Sequence, residues 1–129
     1  MTKYILLIDT DPYQHEFFRW TIEKLNSGFR LLSAYTATEG IKIFRKVKPQ
    51  ISFVNFELDD MPGLICLKKI KSIRGAGKIP VYIYSHRSNE AVAKKANAYG
   101  AAGCLDEMNE ESGLNRCLFK VLRDGDSKS

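Results

Sequence analysis

Five short apolar runs, separated by stretches of helical periodicity, constrain this sequence more than any other feature. The runs are Tyr4-Ile-Leu-Leu-Ile, Phe29-Arg-Leu-Leu-Ser-Ala-Tyr, Ile51-Ser-Phe-Val-Asn-Phe, Pro80-Val-Tyr-Ile-Tyr and Gly103-Cys-Leu. A strand with one wet face alternates apolar with polar residues, whereas a strand of a parallel sheet, covered on both faces, needs a nearly continuous apolar run. Between the runs, Phe17, Trp20, Thr21 and Leu25, then Ile41, Ile43, Phe44 and Val47, then Leu64, Leu67, Ile70 and Ile73 recur at helical spacing. Ala91, Val92, Ala96 and Tyr99 continue the series, and Leu114, Leu118 and Leu122 close it. The chain reads as strand-helix repeated five times.

Cap signals agree with this division. Asp11, Pro12 and Gln14 predict an N-cap, a proline at the first helical position and a capping-box partner for the first helix. Thr36 with Glu39 repeats the box at the second, and Gly100 falls where the fourth should stop. Asn109, followed by Glu110 and Glu111, places a cap and two anions at the positive end of the fifth. This pattern in 129 residues predicts an α/β fold of the flavodoxin-like type. It is a (βα)5 doubly wound parallel sheet in strand order 2-1-3-4-5 with helices on both faces. One domain over residues 1–123 is expected, followed by an unstructured tail over 124–129.

Composition narrows the class. Hydrophobic residues make up 44% and charged residues 27%, which is globular rather than disordered. No apolar run approaches the roughly 20 residues needed to span a bilayer. The start, Met1-Thr-Lys-Tyr-Ile, enters a strand pattern rather than a signal peptide. A cytoplasmic protein without membrane contact is expected. Cys66, Cys104 and Cys117 are odd in number and lack a CxxC pair, so reduced, buried thiols are expected rather than disulfides or zinc ligands. The first strand leads into Asp9-Thr-Asp-Pro-Tyr, which has no glycine to let a dinucleotide or flavin phosphate approach the backbone.

Chemistry in such folds gathers outside the carboxyl ends of the strands, at the point where strand order reverses. Asp9 and Asn55 end strands 1 and 3, and Ser85 and Glu107 follow strands 4 and 5. Four polar residues distant in sequence are therefore expected at one shallow site.

With that placement, the chain resembles the CheY-like receiver domains of bacterial two-component response regulators, from residue 3 to about residue 123. The resemblance rests on Ile5-Leu-Leu-Ile-Asp-Thr-Asp-Pro, on Ile51-Ser-Phe-Val-Asn-Phe-Glu-Leu-Asp-Asp-Met-Pro-Gly-Leu, on Val81-Tyr-Ile-Tyr-Ser and on Tyr99-Gly-Ala-Ala-Gly-Cys-Leu-Asp-Glu-Met. It implies an acidic pair after strand 1 that helps bind Mg²⁺ and an aspartate ending strand 3 that accepts a phosphoryl group. A Ser or Thr after strand 4 and a Lys after strand 5 would hold that group. Here the first acid is Asp9, but Thr10 stands at the second acidic position, Asn55 at the acceptor, Ser85 at the hydroxyl and Glu107 at the lysine. His86 replaces a small residue and Met108 replaces a proline.

These departures bear directly on phosphoryl transfer, which needs an aligned nucleophile and cations on the phosphoryl oxygens. A neutral amide is a poor nucleophile. Exchanging lysine for glutamate turns attraction into repulsion, roughly 4 kcal/mol for a charge pair about 4 Å apart at an effective dielectric of about 20. Asp9, Glu107, Asp11 and Glu57 remain as oxygen donors for a weak Mg²⁺ site with altered geometry; otherwise no metal or cofactor is expected.

Structural roles compete at each position. Asp11 reads as an N-cap, Asp9 as an acceptor of loop N–H groups, and Ser85 as a cap for the fourth helix or a partner of Asn55. His86 reads as a loop residue, Asp59 and Asp60 as solvated loop acids, and Phe17, Phe18 and Trp20 as core or near-core. Lys42, Arg45, Lys46 and Lys48 on the second helix and Lys68, Lys69, Lys71, Arg74 and Lys78 on and after the third carry much of the net charge of +5. Such a face suits solvent first, an acidic protein next and nucleic acid last, since aromatic interleaving and a recognition-helix motif are absent.

The expected function is a non-enzymatic, phosphorylation-independent receiver-like adapter in two-component signalling. Its partners would be proteins such as a histidine kinase or an output protein, and it would be a monomer or weak homodimer. The alternatives are an atypical receiver phosphorylated at another residue and a small basic nucleic-acid-binding domain.

Overall fold

β1 (Lys3–Ile8) shows why the apolar runs are unbroken. Side chains alternate across a strand, and here both sides are covered. Leu6 and Ile8 enter a core with Phe44, Val54, Leu67, Ile70 and Ile83, whereas Ile5 and Leu7 enter a second core with Phe18, Phe53, Leu114 and Leu118. All four are fully buried, and each such side chain stabilises the fold by roughly 1.5–3 kcal/mol.

The computed structural model describes residues 2–25, 27–86, 89–107 and 113–124. After β1 come α1 (Pro12–Leu25), β2 (Phe29–Ala34), α2 (Ala37–Val47), β3 (Ile51–Asn55) and α3 (Gly63–Lys71). A 3-10 turn over Ala76–Lys78 leads to β4 (Val81–Ser85), α4 (Glu90–Ala98), β5 (Gly103–Asp106) and α5 (Leu114–Asp124). All strand pairs are parallel, in the order β2-β1-β3-β4-β5. Helices α1 and α5 close one core, and α2, α3 and α4 the other. This is the flavodoxin-like doubly wound sheet expected from the periodicity.

The helix starts follow the caps, with two corrections. Asp11 Oδ1 accepts the Tyr13 N–H at 2.9 Å, as an N-cap should. Gln14 does not complete a capping box, because the Asp11 N–H donates to Asp9 Oδ1 instead. At α2, Thr36 Oγ1 accepts the Glu39 N–H at 3.1 Å, and Glu39 reaches back to the Tyr35 N–H at 2.9 Å. Helix α4 is capped by Asn89, which accepts the Val92 N–H at 2.9 Å, and not by Ser85. Gly100, just past α4, has φ +98°, where an L side chain is strained. Asn109, Glu110 and Glu111 lie outside the described residues, as do residues 125–129; Asp124, placed in the tail by the sequence reading, ends α5.

The inward face of α1 is also corrected. Trp20 and Leu25 are exposed, and Phe17 is half-buried; the buried stripe is His15, Phe18, Thr21 and Ile22. Aromatic and apolar residues surround this helix, so its periodicity admits more than one rotation. The carbonyl of Asp9 selects one of them by accepting from His15 Nε2 at 2.8 Å, which brings His15 inside. Val47 is exposed as well, and α2 approaches β1 through Gly40, where a Cβ would sit 2.3 Å from Ile8 Cδ1. Only Cys66 is a fully buried thiol, with Cys104 and Cys117 half-buried. Burial pushes Cys66 up to about 12 and Cys117 to about 11.

Candidate functional site

Parallel pairing carries β1, β3, β4 and β5 to a common edge, and backbone bonds lock their ends there. The Phe56 N–H donates to Tyr84 O at 2.7 Å and the Glu107 N–H to Ser85 O at 3.0 Å. Gly63 holds the loop after β3: its N–H donates to Phe56 O at 2.8 Å, and a Cβ there would lie 2.2 Å from the Asn55 carbonyl oxygen. Any side chain at Gly63 therefore displaces the backbone that carries Asn55.

Asp9, Thr10, Asn55 and Glu107 line one cleft of about 390 Å³ together with Asp11, Glu57 and His86. Ser85 ends β4 at the same edge and is buried. Convergence from four distant segments follows from the topology.

Within the cleft, Asp9 is committed. Its Oδ1 accepts the Asp11 N–H at 2.8 Å, and its Oδ2 accepts the hydroxyl of Tyr84. Burial pushes its carboxyl above the ordinary 3.8, against the opposing pull of Tyr84, the Asp11 N–H and His15. The Tyr84 hydroxyl is raised well above its usual range, by burial first and then by the Asp9 charge, while the neighbouring Asn55 amide acts in the opposite direction. Since the Asp9 carbonyl can only accept, His15 Nε2 carries the proton of their bond. The His15 ring lies 4.2 Å from that of Tyr35.

Asn55 bridges the other half of the cleft. Its Oδ1 accepts the Glu57 N–H at 2.7 Å, which fixes the amide's orientation, and its Nδ2 donates to Glu107 Oε1 at 3.4 Å. The Glu107 carboxyl is pushed above 4.5, chiefly by burial and next by the charge of Asp9, with His86 countering. The expected Ser85–Asn55 bond is not formed, because Asn55 is satisfied by Glu57 and Glu107. The buried hydroxyls of Thr10 and Ser85 have no hydrogen-bond partner among the described residues.

The oxygen donors that a divalent cation would meet here are partly engaged. Both oxygens of Asp9 already accept hydrogen bonds, Asp11 caps α1, and no group of three His, Cys, Asp or Glu side chains among the described residues is placed to hold a metal.

Two residues acquire roles that the sequence reading did not give them. By sequence Tyr84 is only part of a strand; the available signal is a tyrosine in a run buried on both faces, where its hydroxyl must find a partner. Asp60, expected to project into solvent, accepts from the Ala37 and Thr38 N–H groups at 2.9 Å and from Thr38 Oγ1 at 2.8 Å. It caps α2 from a different loop; burial pushes its carboxyl up, but the bonds from Thr38 and Ala37 together outweigh that and hold it below the usual range.

The response regulator receiver domain family matches residues 5–118. The chain belongs to that family. Among solved receiver-type structures, a LuxR-family two-component response regulator from Aurantimonas sp. SI85-9A1 is 25% identical, with a TM-score of 0.79 over 96% of this chain and 87% of that one. The chemotaxis protein CheY4 of Vibrio cholerae superposes with a TM-score of 0.82 at 15% identity, covering 96% and 98%, a likeness of fold alone. A probable C4-dicarboxylate response regulator, DctR, of Priestia megaterium is 25% identical over 97 residues, 75% of this chain and 42% of that protein. The receiver domain described here thus spans less than half the length of that relative. Receiver domains are signalling modules of two-component systems, and among the described residues no helix is long and apolar enough to cross a membrane.

Proposed function

We propose that this receiver domain signals through protein contacts without accepting a phosphoryl group, as an adapter beside a histidine kinase or an output protein in the cytoplasm. The observation that carries this reading is the Asn55–Glu107 bond. At the position where the family has its acceptor aspartate, a neutral amide faces a carboxylate at the position of the lysine. Asp9, the remaining acid of the metal-binding pair, is already bonded to Tyr84 and the Asp11 N–H. The cleft thus presents a neutral amide in place of the nucleophile and a carboxylate in place of the cation for the phosphoryl oxygens, with its remaining metal-binding acid already engaged. It acts as a fixed junction between strand ends rather than a switch.

Amide chemical shifts test this reading. With Mg²⁺ and beryllium fluoride, a mimic of the acyl phosphate, the loop after Ser85 and helix α4 should stay unchanged. Saturable shifts spreading into α4 would mean that a phosphoryl-driven switch survives. Acceptance at Asp59 or Asp60 is the competing reading, and Asp60 is disfavoured by its three bonds at the start of α2.

A further inference from the structure

We propose that the groove between α2 and α3 docks an acidic segment of a protein partner, one that carries an apolar anchor between carboxylates. Thr38, Ile41, Lys42 and Arg45 fall at i, i+3, i+4 and i+7, one stripe of α2. Together with Met61, Lys69 and Ser72 they line a groove of about 420 Å³. Ile41 and Met61 pack against the core yet remain partly exposed, which gives the groove an apolar floor.

The charge over this floor is unspent. Elsewhere on the same face Lys68 lies 5.1 Å over the Tyr99 ring, Lys71 donates to Ala76 O and Ile79 O at 3.0 Å, and Lys48 donates to Arg45 O at 3.3 Å. By contrast, the side chains of Lys42, Arg45 and Lys69 are exposed and make no hydrogen bond or ion pair among the described residues. The nearby acids are engaged, Asp60 at the start of α2 and Glu39 at the Tyr35 N–H.

The hydroxyls sharpen the choice of partner. Thr38 donates to Asp60, and Ser72 donates to Lys69 O at 2.7 Å. Both are left with lone pairs only, so the free side-chain donors facing the groove among the described residues are the three cations, and the ligand must supply anionic acceptors. The Asp60 carboxylate guards one end, which directs those anions toward Lys42, Arg45 and Lys69. Among the described residues no aromatic ring lines the groove to stack a base, while the apolar floor invites a buried side chain. An amphipathic acidic helix laid in the groove meets both demands. The surface does not include the Asn55 cleft, so the proposal stands whether or not the domain takes a phosphoryl group.

Three probes test it on the full chain. They are a labelled amphipathic peptide with leucine and phenylalanine on one face and glutamate on the other, its glutamine counterpart, and a random-sequence DNA duplex. Amide shifts on adding the glutamate peptide should centre on Ile41, Lys42, Arg45, Lys69 and Ser72. The glutamine peptide should bind at least about tenfold more weakly, and so should the Arg45→Glu/Lys69→Glu variant toward the glutamate peptide. Both substituted side chains are exposed, so an unchanged melting temperature would confirm that this variant is folded. A lysine version of the peptide should regain affinity for it. Shifts centred elsewhere, equal binding of the glutamate and glutamine peptides, an unaffected variant, or a preference of the groove for the duplex would each overturn the proposal.

Discussion

Tyr84 donates its phenolic hydrogen to Oδ2 of Asp9, joining the ends of β4 and β1 through two buried side chains. A buried carboxylate without donors is costly, and this hydroxyl supplies one where receiver domains of the common pattern use cations. Tyr84→Phe keeps the ring and removes only the donor. The variant should lose about 1 to 3 kcal/mol of stability in urea denaturation, and the Asp9 carboxyl should titrate higher still. Unchanged stability would mean that Asp9 does not depend on this bond.

Glu107 and Asp9 face one another in charge, and both titrate above their ordinary values of 4.5 and 3.8. A carboxyl raised in the folded state binds its proton more tightly there than in the unfolded chain. Its contribution is therefore fully present below the ordinary value and is lost as pH rises through the raised one. Glu107→Gln keeps an acceptor for Asn55 and removes the charge. Relative to wild type, this variant should gain stability as pH rises from about 4 to 7, by less than about 1 kcal/mol because Glu107, though partly desolvated by the cleft, still meets solvent that screens its charge. Melting curves across that range check it; an advantage that grows on acidification contradicts the assignment.

Asn55→Asp alone should restore little phosphorylation. Glu107 would still repel the phosphoryl oxygens, Thr10 would leave the metal pair one acid short, and Tyr84 would still occupy Asp9. Acetyl phosphate labelling should rise only when Glu107→Lys, Thr10→Asp and Tyr84→Phe are added together. Strong labelling of the single variant would show that Asn55 is the whole defect.

The strands were legible because burial on both faces leaves little room for polar residues, as in Ile5 to Ile8. Rotation of α1 was not, since Trp20 and Phe18 carry the same kind of signal and the deciding bond runs from His15 to a backbone carbonyl that no pattern reveals. Asn55 and Glu107 could be placed together from topology alone. Tyr84 could not be matched to Asp9, because its hydroxyl faces a neighbour 75 positions away. The reach of Asp60 to α2 was hidden for the same reason.

The most direct test of the central claim is the intact mass of the wild-type chain after incubation with acetyl phosphate and Mg²⁺. With Asn55 at the end of β3 and Glu107 bonded to it, the mass should not change. A stoichiometric gain of one phosphoryl group, lost on mild alkali as an acyl phosphate is, would contradict the account.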